Sequence, residues 1–392
     1  MVSFHKQFAP LLFGAGASGQ LAAQLKMMGC KKAIAVTDKG VIAAGVLDKA
    51  LASLKAEGIP YVVYDGCLPD APDTCFYAAA DMARSEGVDA MIAVGGGSNI
   101  DSAKAASILI KDRTPREVLF APPGPDSPPP PPRRPDVKLI LIPTTCGTGS
   151  EETAVAVVSD SKTALKHGIF LEGADLSVVD PELTLGLPPG LTASTGMDVV
   201  CHACEAYTTT SRKNPISDQR AHTALRLAAK NLPLLIKDGT NLEARTSMSL
   251  ACTWAGMAFN DSMNNLAHGI AHAFGSKSHL AHGIACALAE PPSLELFVNV
   301  VPELVRDIGV DLGADIPENA APAEIARLTG ERLRGFMREI GIPSFEKLGY
   351  TREQVMDHLD AAMQEFQVKL APLEVTREQM ETLLASMYDD YR

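Results

Sequence analysis

The chain lacks a basic excess, a long apolar run and a dense set of cysteines. Its 35 Lys and Arg stand against 47 Asp and Glu, a formal net charge of −12. No stretch gathers Lys and Arg into a basic patch, which argues against nucleic acid as a partner, because phosphate contacts dominate that affinity. No uninterrupted apolar segment approaches the roughly 18 residues that a membrane span requires. The opening MVSFHKQFAPLLFGAG has no long apolar h-region and no cleavage site, so no secretion is expected. Eight cysteines in 392 residues do not make a disulfide scaffold, and reduced thiols in a cytoplasm are the simpler expectation.

What is present suits a globular enzyme. Hydrophobic residues make up 46% of the chain and charged residues 21%, ample for a core. The length suggests two domains. Short β-branched runs alternate with amphipathic stretches through the first half: AIAVTD (33–38), YVVYDG (61–66), DAMIAVGGGS (89–98) and VKLILIPTT (137–145). That alternation predicts a mostly parallel sheet covered on both faces. Strand signals stop near Asp180, and from Thr192 onward the pattern is almost wholly helical. Pro188-Pro189-Gly190 marks the expected boundary. The fold expected is an α/β, Rossmann-like domain over 1–188 and an all-helical domain over 189–392, with the cleft between domains as a favoured ligand site. Residues 121–136, APPGPDSPPPPPRRPD, read as an extended polyproline-type surface loop.

Two loops have the composition of phosphate cradles. VGGGSNIDSAK (94–104) follows a strand and opens a helix. Gly95, Gly96, Gly97 and Ser98 would present free N–H groups and the helix dipole to a phosphate, and Asp101 of the same motif is assigned to the cofactor site. IPTTCGTGSEET (142–153) also follows a strand. Its Thr144, Thr145, Thr148 and Ser150 suit a diphosphate and ribose at the carboxyl edge of the sheet. Gly14, Gly16 and Gly19 satisfy G-x-G-x-x-G, but the strand before them is short, and they read as a turn beside the cofactor. Asp38, at the end of a strand, is the expected ribose ligand. A carboxylate there repels a 2′-phosphate, so NAD(H) is favoured over NADP(H).

Five of the nine histidines lie in two short segments. TGMDVVCHACEAY (195–207) places Asp198 and His202 four residues apart, on one helix face. LAHGIAHAFGSKSHLAHG (266–283) carries His268, His272, His279 and His282. One aspartate with three histidines is a plausible shell for Fe(II) or Zn(II), although spacing alone leaves open which histidines bind. Such an ion favours the alkoxide from which hydride departs. Cys201 and Cys204 form a single C-x-x-C with no second pair, and read as core cysteines.

These motifs, in this order, resemble the iron-containing (group III) alcohol dehydrogenase family over nearly the whole chain, from FGAGA (13–17) and VTDKG (36–40) to HGIAHAFG (268–275) and AHG (281–283). The resemblance implies a Rossmann-like domain followed by a helical one, NAD(P), one Fe(II) or sometimes Zn(II), and commonly a dimer. It implies Asp198, His202, His268 and His282 as metal ligands. It makes His272 a candidate for the proton path. Cofactor contacts implied are Asp38, Gly96, Gly97, Ser98, Thr144, Thr145 and Lys166, and Phe259 is implied as a wall of the substrate pocket, with Val155 adding apolar surface. The chain departs from the family pattern at Met263-Asn264-Asn265, where Gly-Leu-Gly is usual, at Ala281, where proline is usual, and at Glu152, where an apolar residue is usual. The expected activity is hydride transfer between NAD(H) and a small alcohol, diol or hydroxyacid, or the corresponding aldehyde. The competing readings are a metal- and NAD-dependent lyase or cyclase resembling dehydroquinate synthase, and a catalytically silent nucleotide-binding protein.

Overall fold

The structure is a computed structural model that describes residues 7–110, 116–120, 137–163, 165–210 and 212–392. The polyproline stretch 121–136 lies outside the described residues. The chain divides into two compact units, one of residues 7–145 with Gly149–Gly186, the other of Leu187–Arg392 with Cys146–Thr148.

Among the described residues, eight strands belong to the first unit: β1 (Leu11–Phe13), β2 (Ala33–Val36), β3 (Tyr61–Tyr64), β4 (Ala90–Gly95), β5 (Lys138–Pro143), β6 (Val155–Ser159), β7 (Lys166–Phe170) and β8 (Leu176–Val179). Six pair in parallel in the order β1-β8-β5-β4-β2-β3. The central strands β2 and β4 are buried at every position. That burial is why they read as continuous apolar runs, AIAV and AMIAVG, and not as alternating ones. The remaining pair, β6 and β7, forms a separate antiparallel ribbon. Helix α1 (Gly97–Leu109) starts directly after β4. It packs on β4 and β5 and is buried along nearly its whole length, in keeping with its Ala- and Ser-rich sequence.

The second unit is helical. Its principal helices are α2 (Pro189–Thr208), α3 (Pro215–Lys237), α4 (Leu242–Ser262), α5 (Leu266–Ser278), α6 (His282–Phe297) and α7 (Pro322–Ile340). Proline at the first turn of α2, α3 and α7 is tolerated because the missing N–H has no helical partner there. Helix α2 is central, touching α3, α4, α5 and α6. From Thr192 to its C-terminus it is almost wholly buried, which takes Asp198, His202 and Glu205 into the core with it. Among the described residues no helix is long and apolar enough to cross a membrane.

Candidate active site

In the α/β unit the glycine-rich turn after β4 needs its glycines. Gly95 has φ +152°, and a Cβ there would fall 1.7 Å from Asn99 Nδ2. Gly96 is the N-cap residue of α1, and a Cβ on it would only just touch Thr145. Asp38 caps the short helix Lys39–Ala43, accepting from the Gly40 and Val41 amides at 2.7 and 3.0 Å. Its second oxygen accepts from Asn99 Nδ2 at 2.6 Å, so Asp38 and the turn after β4 are linked by one hydrogen bond. Asn99, which also donates to the Val94 carbonyl, escaped the sequence reading although it stands inside the motif.

The neighbouring groups are similarly tied. Ser98 Oγ accepts from the Asp70 amide at 3.1 Å, and Lys166 Nζ pairs with the Asp70 carboxylate at 2.7 Å. Asp101 accepts from Ser150 Oγ at 2.6 Å and from the Val157 amide at 3.2 Å. It therefore fastens the Ser150–Glu152 turn and β6 to α1. Lys104, the last residue of the first motif, is fully buried. It donates to Ser150 and Thr153 and to the Val155 carbonyl. Burial pulls its pKa down to about 8, against the attraction of Asp101, Glu151 and Glu152. Thr144 is buried, with its amide bonded to the Gly95 carbonyl. Thr148 belongs to the helical unit. Gly16 and Ser18, of the G-x-G-x-x-G segment, donate their amides to the Asp180 carboxylate. That pattern is the expected turn, held by a side chain of the protein.

In the helical unit three of the predicted residues converge on one oxygen of the fourth. Asp198 Oδ1 lies 3.9 Å from His202 Nδ1, 3.6 Å from His268 Nε2 and 3.7 Å from His282 Nε2. Asp198 and His202 share a face of α2, His268 comes from α5, and His282 is the first residue of α6. The approach of α6 to α2 depends on Gly283, where a Cβ would stand 2.1 Å from the Ser194 carbonyl. Among the described residues Asp198 Oδ1, His202 Nδ1 and His268 Nε2 are buried with no hydrogen-bond partner. Orphaned donors and acceptors of this kind cost free energy unless something binds them. A divalent cation fits all three at once. His282 is the open side of the cluster, with its side chain 29% exposed.

Electrostatics favour the ligand forms at Asp198 and His202. Burial alone would raise the Asp198 carboxyl, but His202 and the other histidines outweigh it and hold it well below the ordinary carboxylate range. Burial lowers His202 to about 4, despite Asp198, so its imidazole is neutral at pH 7. Metal binding needs neutral imidazole. At His268 burial opposes charging, but Cys286 and Glu205 beside it lift the imidazole well above its usual value.

Several participants were not picked out by spacing. Glu205 accepts from the His268 amide at 3.1 Å and contacts His268 Nδ1 through its other oxygen. That fixes the ring so that Nε2 faces Asp198, an arrangement typical of metal-binding histidines. Glu205 lies three residues beyond His202 and seven beyond Asp198, so the helical period could have found it. Cys286 Sγ lies 3.6 Å from His282 Nε2. Glu365 Oε2 lies 3.7 Å from His272 Nδ1. His272 itself stacks on His282 at 5.5 Å and stands beside the cluster, while exposed His279 ends α5 in a left-handed conformation, away from it. The Phe259 ring stacks on His202 at 4.3 Å between centroids. Val155, in β6, is half-buried in the α/β unit. Cys201 and Cys204 are buried in the helical core.

At Met263-Asn264-Asn265 the structure explains part of the departure from the family pattern. Asn265 is buried and donates to the Glu205 carbonyl, Thr208 Oγ1 and Thr209 Oγ1. It thereby anchors the start of α5 to the end of α2. Met263 has φ 74° and ψ 162°, a conformation suited to glycine.

Residues 9–181 match the family model described as iron-containing alcohol dehydrogenase, and residues 192–388 match the C-terminal model of the same family. Among curated relatives, 1,3-propanediol dehydrogenase of Citrobacter freundii is 35% identical, covering 84% of this chain and 84% of its own length. Mitochondrial hydroxyacid-oxoacid transhydrogenase of Caenorhabditis elegans is 31% identical over 97% of this chain and 89% of its own length. An alcohol dehydrogenase from Oenococcus oeni superposes with a TM-score of 0.90 at 30% identity, covering 99% of this chain and all of that one. These likenesses decide for NAD-linked alcohol oxidoreduction over a lyase or a silent nucleotide binder, and the chain belongs to the iron-containing alcohol dehydrogenase family.

Proposed function

We propose that Asp198, His202, His268 and His282 hold one divalent ion, Fe(II) in the first place and Zn(II) as the second choice. On this reading the enzyme moves hydride between NAD(H) and a small alcohol, diol or hydroxyacid. The observation that carries the reading is that Asp198 Oδ1, His202 Nδ1 and His268 Nε2 lie together in the core, buried and with no hydrogen-bond partner among the described residues. When bound, the ion supplies Lewis acidity that lowers the cost of ionising the substrate hydroxyl. The chain's own residues do the rest. Asp198 contributes the anionic charge of the ligand set, and Glu205 keeps the His268 ring turned toward it. Phe259 covers the His202 ring and supplies an apolar wall. His272, beside His282 and close to Glu365, is placed to carry the hydroxyl proton between the substrate and Glu365. In the α/β unit, Gly96, Gly97, Ser98, Thr144 and Thr145 are assigned to the diphosphate and ribose. Thr148 and Lys166 complete the assigned cofactor contacts. Asp38 is assigned to the adenosine ribose, where a 2′-phosphate would meet its carboxylate, so NAD(H) is preferred over NADP(H). Asp101 acts at one remove, through Ser150 and Val157.

The substrate class follows relatives named for 1,3-propanediol, methanol or hydroxyacids. The reading includes a homodimer or higher homo-oligomer, which light scattering checks, and a cytoplasmic location, which fractionation checks. The decisive experiment pairs NADH absorbance, on a panel of small aldehydes, diols and hydroxyacids, with elemental analysis. Asp198→Ala is expected to lose the ion and at least about 10³-fold of activity, the several kcal/mol that metal stabilisation supplies. Full activity in a preparation shown to be metal-free overturns the proposal.

A further inference from the structure

Among the described residues, one group of donor atoms in the helical unit differs from the set that the sequence suggests. The ligand atoms of Asp198, His268, His282 and Cys286 all lie within 4.8 Å of one another. His202 stands beside this group, 3.9 Å from Asp198 Oδ1. Cys286 occupies the second turn of α6, four residues after His282 and on the same face. Its Sγ lies 3.6 Å from His282 Nε2, and that nitrogen lies 3.7 Å from Asp198 Oδ1. Bond lengths to Zn(II) are about 2.3 Å for sulfur and about 2.0–2.1 Å for nitrogen or oxygen, so adjacent donors on one ion stand about 3–4 Å apart. The sulfur–His282 and His282–Asp198 separations already fall in that range.

A buried cysteine in a helical core is ordinarily a small apolar filler, and Cys201 and Cys204 fit that description. Cys286 differs in what its sulfur faces. Its group includes Asp198 and His268, whose Oδ1 and Nε2 have no hydrogen-bond partner among the described residues. Those orphaned atoms are independent evidence that the space beside the sulfur is built for a ligand.

We propose that Cys286 supplies a thiolate to the ion held by Asp198, His268 and His282, with His202 as the fifth protein donor. This deepens the metal reading above and rests on it. On binding, an S–M bond forms and the thiol proton leaves to solvent, with no change of oxidation state. A sulfur donor adds a soft ligand to an otherwise nitrogen and oxygen set. That favours Zn(II) and Co(II) over harder ions such as Mn(II) and Mg(II).

The test reads the metal and not turnover. Full-length metal-free protein is loaded anaerobically with Co(II), and its near-ultraviolet spectrum is recorded beside elemental analysis. The expected result is about one Co(II) per chain with a thiolate-to-cobalt charge-transfer band. In Cys286→Ser the band disappears while the ion stays bound. X-ray absorption on the Zn(II)-loaded wild type should show a sulfur shell at about 2.3 Å. This second measurement decides the matter even if the variant fails to fold. Stoichiometric metal with no sulfur signal overturns the thiolate and leaves the ion site standing. A band that survives in Cys286→Ser also overturns it. A wild type that takes up no ion overturns the metal reading itself, and this proposal with it.

Discussion

Around the glycine-rich turns of the α/β unit the polar side chains answer one another. Asp38 is satisfied by two backbone amides and Asn99, Asp101 by Ser150 and Val157, Lys104 by three oxygen-bearing residues, and Lys166 by Asp70. In the helical unit the opposite holds. Asp198 Oδ1, His202 Nδ1 and His268 Nε2 are drawn together in the core and lack hydrogen-bond partners among the described residues. These side chains of the first arrangement are paired within the protein, and they set the shape of turns whose backbone would meet a phosphate. The second is costly without a ligand, because buried polar atoms with no partner lose their hydration for nothing. A cofactor that comes and goes at each turnover suits the self-satisfied site, and a resident ion suits the unsatisfied one.

Removing the group beside the cluster, but outside it, makes the sharpest cut. His272→Ala is expected to leave about one metal ion per chain and to lower turnover by about 10²–10⁴-fold, the usual contribution of a general acid–base group. Metal loss as large as that of a ligand variant would place His272 inside the cluster. Glu205→Gln keeps the shape but weakens the grip on His268. Metal affinity should fall by about 10–100-fold, as is typical for such orienting carboxylates. A competition titration with a chromophoric chelator reads this, and unchanged affinity would show that Glu205 does not orient His268 for the ion.

On the self-satisfied side, Asp38→Gly should narrow the preference for NAD(H) over NADP(H) by about tenfold, or ~1.4 kcal/mol, in kcat/KM measured with each cofactor. Glycine is an acceptable helix N-cap, so loss of the cap costs little stability. Equal efficiency with both cofactors in the unaltered protein would break the assignment. The smallest effect concerns Met263, which closes α4 just before the helix that carries His268. Its φ of 74° and ψ of 162° store strain on the order of 1–3 kcal/mol. Part of that is lost again to the greater freedom of an unfolded glycine. Met263→Gly should therefore stabilise by about 1 kcal/mol in denaturant unfolding, and a lower midpoint would show that the methionine side chain contributes packing that outweighs the strain.

Much of this was legible in the chain. Asp198 with His202 and His268 with His272 are four residues apart, and a helix turns such pairs to one face whatever surrounds it. AIAV, AMIAVG and LILIP read as buried parallel strands because sheets covered on both faces demand apolar residues at every position. The strand–helix alternation and the shift to helix after Pro188-Pro189-Gly190 follow from periods of two and 3.6, which are local properties of the backbone.

Other features answer to no local period. Tertiary packing alone brings His282 to Asp198, through Gly283 against Ser194, and the same packing brings in Cys286. It also decides that Glu205 reaches His268 across two helices, that Glu365 meets His272 from nearly a hundred residues away, and that His279 stays outside. The order β1-β8-β5-β4-β2-β3 is likewise a matter of which strands pair over long stretches of chain. Sequence determined which side chains share a face of one element, because backbone geometry is the same everywhere. Only the folded chain decided which faces meet, because that depends on how close two backbones can come and on which buried polar atoms then find partners.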